Sequence, residues 1–277
     1  IRDSHINGMA AFSSRGPTDD GRIKPEIVAP GTDIISVRSS HPSAGVGWGV
    51  HNQYYIYNGG TSMATPLTAG AATLVRQFYT AVQRLSNPSA ALIKATLLNG
   101  AQNITPGQYG SSSAREIPAT TPNNVIGFGR VDLMNTLALT SPLRLLYWDV
   151  PGGLTTNSIV TYSVYITQTG IPDSRLTATL CWTDFPAAPG VGKTLVNDLD
   201  LEVVGPTGMR YLGNGKVVWD RLNNTEQVVI AAPAQGAYQL VIRGATVPQG
   251  PQPYALVVAG PNLSPSPPDS SKWLWLP

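Results

Sequence analysis

The sequence predicts an α/β segment followed by an all-β antiparallel domain, and a change in the pattern of apolar residues near residue 140 supports this division. Before that point, strand-like stretches alternate with stretches of helical period. After it, short strands of alternating polarity are separated by Gly/Pro turns. A chain of 277 residues is long enough for two domains. We therefore predict an α/β unit over 1–140, a β-sandwich or barrel over 141–260, and a Pro/Ser-rich linker and tail over 261–277.

Helical signals in the first segment follow strand-like ones. "EIVAPGTDIISV" predicts a buried strand with a Pro30-Gly31 turn inside it. From Ser62 to about Leu85, apolar residues recur at steps of three or four, which predicts a helix. Asn87-Pro88 is typical of the N-cap and first turn of a second helix, and "GFGRVDLMNTLAL" predicts a short third one. Strands mixed with helices favour a largely parallel sheet.

The second segment contains six strand candidates, and in the first of them apolar residues alternate with other residues. In the first, Val160, Tyr162, Val164 and Ile166 share one face of the predicted strand. Such strands, joined by Gly/Pro turns, predict an antiparallel sandwich or barrel. The six stretches are "SIVTYSVYI", "RLTATLCW", "DLDLEVV", "EQVVIAAP", "AYQLVIRG" and "YALVVAG".

Composition argues against several functional classes. The formal net charge is +2, and no basic block indicates a nucleic acid or an anionic membrane as partner. No apolar run reaches the roughly 18–20 residues of a membrane-spanning helix. Cys181 is the only cysteine, which excludes an internal disulfide and argues against a thiol-based metal site or redox pair. We expect no organic cofactor.

The stretch "NGGTSMATP" places Ser62 at the start of the first predicted helix. A serine hydroxyl is a weak nucleophile that needs a base and a pocket for negative charge, and the free N–H groups of a helix N-terminus suit that pocket. Gly59 and Gly60 leave room for a substrate backbone and permit unusual backbone angles. The alternative is that Ser62 is an ordinary helix cap.

Longer strings around Ser62 carry a resemblance to a known family. "GGTSMATPLTAG" resembles the nucleophile segment of the subtilases, and "FSSRGPTDDGRIKPEIVAPGTDI" resembles the stretch that precedes it. "CWTDFPAAP" and "LVNDLDLEVVGPTGMRYLGN" resemble the C-terminal β-domain of a two-domain subtilase group. The resemblance covers the chain from about Asn7 to Gly260. It implies the C-terminal portion of a subtilisin-like parallel-sheet domain followed by a jelly-roll-like domain.

The resemblance also implies an activity. Ser62 becomes the nucleophile of a secreted serine endopeptidase that cleaves polypeptides through an acyl-enzyme. The oxyanion pocket is assigned to the Ser62 backbone N–H together with Gly60 and Thr61. In the family, the catalytic Asp and His and an oxyanion Asn come from upstream motifs, and none of these motifs occurs here. We therefore expect a C-terminal fragment whose partner is the missing N-terminal part of the same domain, and which is inactive without it.

Local residues offer no evident substitutes for the missing groups. His5, His41 and His51 are the three histidines, and none lies in a motif that matches the family's base. Asn58 is a further candidate oxyanion donor, but a residue before Gly-Gly is more typical of a turn.

Three aspartates form a candidate calcium site. Asp198 and Asp200 alternate with leucines in "NDLDLEV", which places both carboxylates on one face of a strand, and Asp184 lies at the end of another strand. Carboxylates suit Ca²⁺, and the resemblance to the subtilases agrees with structural calcium. The alternative is that Asp198 and Asp200 form the solvated face of an edge strand.

A different class of function is a non-catalytic binding or stabilising β-module. Tyr162, Trp182, Trp219 and Tyr238 are then the candidate ligand face, and core packing is the competing interpretation of these side chains.

Overall fold

The computed structural model describes residues 5–137, 142–167, 170 and 174–265. Its first part contains a small antiparallel sheet and three α-helices. The sheet has the strand order β1-β3-β2, and a π-helical turn, Phe78–Val82, follows the first helix directly. The elements are β1 (Ile34–Val37), β2 (Gly49–Val50), β3 (Tyr55–Asn58), α1 (Thr61–Gln77), α2 (Ala90–Asn99) and α3 (Leu133–Leu137).

The prediction of a largely parallel sheet in this part is wrong for the described residues. Their one parallel pairing is an isolated bridge between Val28 and Arg130. Parallel pairing requires a crossover connection to a neighbouring strand, and among the described residues this pairing does not extend beyond the bridge at Val28. The chain instead continues into β1, which pairs antiparallel with β3 and is mostly exposed rather than buried.

The predicted helices exist, but their ends differ from the prediction. The α-helical hydrogen bonding of α1 stops at Gln77, and the π-turn carries the chain onward, so the regular helix ends before Leu85. The N-cap of α2 is Ser89, whose hydroxyl accepts a hydrogen bond from Leu92 N–H at 3.0 Å. Its start therefore lies two residues beyond the predicted cap at Asn87, because the Ser89 hydroxyl satisfies a first-turn amide.

The second part of the chain is a sandwich of two antiparallel sheets, as the alternating strands predicted. The sheets have the orders β12-β5-β10-β7-β8 and β4-β11-β6-β9. Apolar side chains from both sheets, including Val164, Leu180 and Leu201, form one core between them. The strands are β4 (Leu143–Leu154), β5 (Ile159–Ile166), β6 (Arg175–Cys181), β7 (Asp198–Val204), β8 (Arg210–Leu212), β9 (Thr225–Ala231), β10 (Gly236–Thr246), β11 (Gln252–Pro261) and β12 (Leu263–Pro265).

The sandwich extends slightly beyond its predicted C-terminal boundary at residue 260. β12 pairs with β5, with Leu263 opposite Ile166, so residues 263–265 belong to a sheet rather than to the predicted tail. Trp273 and Trp275 of that tail lie outside the described residues.

Helix α2 joins the two parts of the molecule. A second apolar cluster combines Val75 of α1, Leu92 of α2, and Val257 of β11 on the outer face of the four-stranded sheet. Helix α1 therefore rests on α2, and α2 rests on the sandwich. None of the helices in the described part of the chain is long and apolar enough to cross a membrane.

Candidate active site

Ser62 lies at the N-terminus of α1, directly after a turn that requires glycine. Gly60 has φ 144° and ψ 168°, a region of backbone angles that is essentially restricted to glycine. Its N–H donates to the Gly31 carbonyl at 2.7 Å, and its own carbonyl accepts from Met63 N–H at 3.0 Å. These contacts fix the N-cap at Gly60, so that the helix begins at Thr61, one residue before Ser62.

The interpretation of Ser62 as a side-chain helix cap is wrong. Gly60 occupies the N-cap position, and no side chain caps the helix there. Ser62 is instead the second residue of the helix, and its side chain is exposed. The hydroxyl is therefore accessible beside the first-turn N–H groups, which lack a carbonyl acceptor four residues earlier within the helix and carry partial positive charge. This arrangement suits a nucleophile whose attack produces an oxyanion on the substrate carbonyl nearby.

Asn58 and Gly59 shape the turn before the helix. The Asn58 Oδ1 accepts from Gly59 N–H at 2.9 Å, so this side chain takes part in the turn. A Cβ atom at Gly59 would overlap the ring of Trp48, so the indole lies directly on the glycine main chain. The two positions of "NGGTS" thus require glycine for different reasons. Gly59 is in close contact with the Trp48 ring, and Gly60 has a backbone conformation that other residues rarely adopt.

None of the histidines in the described residues hydrogen-bonds Ser62. His51 Nδ1 lies 2.9 Å from Tyr57 Oη, and the two rings meet edge to face. His41 Nδ1 lies 2.8 Å from Ser43 Oγ, within its own loop. His5 Nδ1 accepts from Asn7 N–H at 3.3 Å. The local geometry therefore gives Ser62 no base among these three residues.

A cavity of about 680 Å³ opens beside the start of α1. Gly60, Thr61 and Ala64 form one side of it, and Phe12 lies on another. The cavity reaches the turn that carries Ser62, so a group that enters it approaches the helix N-terminus.

The structure does not bring the three candidate calcium ligands into a metal site. Both oxygens of Asp184 accept backbone hydrogen bonds, from Phe185, Val196 and Asn197 N–H, each at 2.8 Å. Asp184 thereby anchors a loop. Among the described residues, no group of three or more His, Cys, Asp or Glu side chains is placed to hold a metal ion.

Asp198 and Asp200 share a face of β7, as predicted, but this face is not a solvated edge. Both residues are buried, and β7 lies between β10 and β8 within its sheet. Arg221 covers the carboxylates, with Nη1 3.3 Å from each oxygen of Asp198 and in direct contact with Asp200 Oδ1. A guanidinium occupies the position where a Ca²⁺ ion would need further oxygen ligands, so these residues do not fit calcium.

Burial dominates the electrostatics of this face. It raises the pKa of Asp198 to about 6; Arg221 opposes the shift and Asp200 adds to it. Burial also raises the pKa of Asp200, against the hydrogen bond from Arg221. The pair is therefore an internal ion-pair cluster whose charge depends on pH.

Most of the predicted aromatic ligand face belongs to the interior. Trp182 and Tyr238 are buried, and they donate to the carbonyls of Asn197 and Ala234, respectively. Tyr162 is half-buried and hydrogen-bonded to Tyr254. Trp219 is half-buried, with the guanidinium groups of Arg221 and Arg243 about 6 Å from its ring. Core packing is therefore the correct interpretation of Trp182 and Tyr238.

Asp20, which lies in the turn before Gly21, connects the first segment to the sandwich. Its carboxylate accepts from Thr18 at 2.6 Å, from Arg22 and from the backbone N–H of Thr194 at 3.1 Å. The hydrogen bond from Thr18, followed by that from Thr194, holds the pKa of Asp20 well below its usual range. The local sequence indicates the turn, but nothing in it links residues 174 positions apart.

Comparison with known proteins identifies the first segment. The sequence profile of the subtilase family (Peptidase_S8) matches residues 4–129. Residues 4–129 of this chain belong to the subtilase family. The matched segment contains the Gly59-Gly60 turn, Ser62 and most of the helical layer.

Individual relatives named as serine proteases extend the similarity over most of the chain. The serine protease/ABC transporter B family proteins tagB and tagD of Dictyostelium discoideum are 32% and 30% identical, each over 92% of this chain. These alignments cover 16% and 17% of the relatives. Serine protease AprX of Bacillus subtilis is 49% identical over 76 residues, which are 25% of this chain and 16% of that protein. The chain thus spans about one sixth of the length of these relatives.

Proposed function

We propose that Ser62 is the nucleophile of a serine endopeptidase that hydrolyses polypeptides through an acyl-enzyme. The observation that carries this proposal is an exposed serine in the first turn of α1, beside first-turn N–H groups, within a subtilase segment. The names of the relatives, which are serine proteases, agree with it.

In the proposed reaction, Ser62 Oγ attacks the carbonyl carbon of the scissile bond and loses its proton to a histidine. The Ser62 backbone N–H, beside Gly60 and Thr61, donates to the oxyanion that forms. The C–N bond then breaks, the histidine protonates the leaving amine, and water hydrolyses the acyl-enzyme. We assign the histidine and its aspartate to a part of the peptidase outside this chain, because His5, His41 and His51 are engaged elsewhere.

The surface around α1 supports docking of that further part. Leu67 and Leu74 are exposed on α1 by 44% and 46%, which is unusual for leucines on a helix with a buried opposite face. The cavity beside Gly60 and the single parallel bridge at Val28 also leave room for further strands. This partner is the remainder of the same peptidase domain.

The β-part is proposed to be a jelly roll. The eight strands β4 to β11 form two four-strand arrays, β4-β11-β6-β9 and β5-β10-β7-β8. Late strands lie next to early ones in both arrays, which is the nested arrangement of a jelly roll. Secretion of the parent enzyme is proposed from the family and agrees with a relative named as an extracellular protease.

Active-site labelling of the full-length protein tests the function. A fluorophosphonate probe is expected to label wild type and the Thr65→Ala variant, but not Ser62→Ala. Thr65 is a matched control because its hydroxyl is also exposed on α1, one turn further along. Equal labelling of Ser62→Ala would overturn the assignment of the nucleophile. Strong Ser62-dependent labelling of the 277-residue chain alone would contradict a base supplied from outside it.

A further inference from the structure

A groove lies at one side of the sandwich, between the free edges of its two sheets. Strand β8 is the last strand of the five-stranded sheet, and β9 is the last strand of the four-stranded one. The groove between them, which we call the edge groove, has a volume of about 640 Å³. It is lined by Arg210–Leu212 of β8, residues 215–219 of the following loop, and Val228 and Val229 of β9.

Exposed valines make the edge groove apolar. Val217 and Val218 are exposed by 93% and 66%. Val229 is exposed by 48%, although its neighbours in the strand, Val228 and Ile230, are buried. Exposed apolar residues that are gathered on one concave surface, rather than scattered singly, mark an interaction site.

The backbone of β9 directs hydrogen-bonding groups into the same groove. Ala232 N–H donates to the Ser174 carbonyl at 2.9 Å, so even-numbered residues of this strand direct their backbone groups toward β6. Odd-numbered residues direct theirs toward the free edge, where Gln227 N–H donates to Asn214 Oδ1 at 3.1 Å. By the same alternation, the N–H and C=O of Val229 point into the edge groove. An extended segment can therefore add to β9 at this position.

The chain contains a segment of matching chemistry. Residues 266–277, which lie outside the described residues, have the sequence "SPPDSSKWLWLP". The four residues from Trp273 to Leu276 are all large and apolar. A strand that lies between two sheets is covered on both faces, and such strands have continuous apolar runs rather than alternating ones.

The register of the five-stranded sheet places this segment within reach of the edge groove. A row of paired or adjacent residues crosses the sheet from the end of β12 to the start of β8: Pro265, Val164, Tyr238, Gln239, Val204 and Arg210. The four strand spacings along this row amount to about 19 Å, whereas the seven residues 266–272 span up to about 23–25 Å. Ser163 and Gln239 on the outer face are exposed, so the chain can cross there.

We propose that the segment from Trp273 to Leu276 binds in the edge groove of its own chain, as an added strand beside β9. Its side chains are buried against Val217, Val218 and Val229, and its backbone pairs with Val229. The segment thereby covers sheet edges that would otherwise be open to pairing with another chain. This inference is independent of the role of Ser62.

Disulfide cross-linking in the 277-residue chain tests the proposal. Val217→Cys is combined with Leu274→Cys or with Trp275→Cys, because these two side chains face opposite sides of an extended segment. At least one pair is expected to form a disulfide within the chain under mild oxidation. Cys181 does not compete, because it is buried and burial raises the pKa of its thiol to about 11.

Ile159→Cys, combined with the same two partners, is the matched control. Ile159 is also an exposed apolar residue, but it lies on β5, directly beside the strand from which the segment departs. Nearness along the chain alone therefore favours cross-linking at Ile159, whereas binding in the edge groove makes cross-linking at Val217 at least about tenfold faster.

A charge in the edge groove provides the second measurement. Val218→Asp is expected to slow the cross-linking at Val217 about tenfold, because a carboxylate opposes burial of the apolar run. Val37→Asp, on the exposed β1, is expected to leave the rate unchanged, and the melting temperature of each variant verifies folding. Equal rates at Val217 and Ile159, no cross-link at Val217, or no effect of Val218→Asp would overturn the proposal. A disulfide between two chains would overturn binding within the same chain.

Discussion

Two glycines in the same helical region are expected to respond in opposite directions to the same substitution. Gly60 precedes α1 with φ 144° and ψ 168°, and a Cβ atom there would find its nearest neighbours, Ser62 N and Met63 Sδ, at 3.8 and 3.9 Å. The space is open, so the effect of Gly60→Ala is conformational. Holding alanine in that region destabilises the fold by about 1–3 kcal/mol.

Gly70 provides the matched comparison. It lies in the interior of α1, where a Cβ atom would meet nothing within 4 Å. Alanine is a better helix former than glycine, so Gly70→Ala is expected to stabilise the chain by about 0.4–1 kcal/mol. Urea unfolding followed by far-UV circular dichroism measures both variants. A Gly60→Ala variant as stable as Gly70→Ala would refute the backbone conformation described for Gly60.

Two further predictions concern the buried Asp198 and the N-cap of α2. The pKa of Asp198 is about 6 in the folded chain, against an ordinary value of 3.8. The folded state then binds more protons than the unfolded state between pH 4 and 6, so stability falls as pH rises through this window. Asp198→Asn is expected to flatten that part of the profile of melting temperature against pH, and an unchanged slope would contradict it. The Ser89 hydroxyl caps α2 and donates to Asp149 Oδ1 at 2.6 Å. Ser89→Ala is expected to destabilise by about 1–2 kcal/mol in urea unfolding, whereas the exposed Ser43→Ala serves as the control and changes it by less than about 0.5.

The sandwich strands were predictable because alternation is a local signal. In β5 and β6, residues that face the core between the sheets alternate with residues that face away from it. This period of two can be read directly from the sequence. The position of Ser62 was predictable for a similar reason, since Gly-Gly followed by an apolar period marks a helix start. Local patterns thus located Ser62 at the start of α1 but not the residues around it.

The features that sequence reasoning missed depend on distant residues. Asp198 faces a cation rather than water because of Arg221, which lies 23 positions away in the sequence. Strand β8, which lies between them in sequence, forms the edge of the sheet. The direction of pairing of β1 depends on which strand lies beside it, and the sequence of residues 26–37 does not indicate that this strand is β3. The contact of Trp48 with Gly59 likewise follows from the β2–β3 pairing.

The helical layer that carries Ser62 packs on the sandwich, so we expect its folding to depend on it. The buried side chains of α2 face α1 on one side and the four-stranded sheet on the other. Its last residue, Asn99, donates through Nδ2 to Thr177 O, Thr179 Oγ1 and Val257 O at 2.9–3.1 Å. Removing the sandwich exposes this apolar face and leaves the Asn99 amide without its partners.

Residues 1–141 expressed alone are therefore expected to lack a cooperative thermal transition. Residues 142–277 are expected to keep one, because the core between the two sheets lies wholly within them. Heating each piece while recording far-UV circular dichroism distinguishes the two. A sharp transition in the 1–141 piece would show that the helical layer folds independently of the sandwich. The expected result instead makes the sandwich a structural requirement for presenting Ser62, because α1 is held by α2 and α2 is held by β6 and β11.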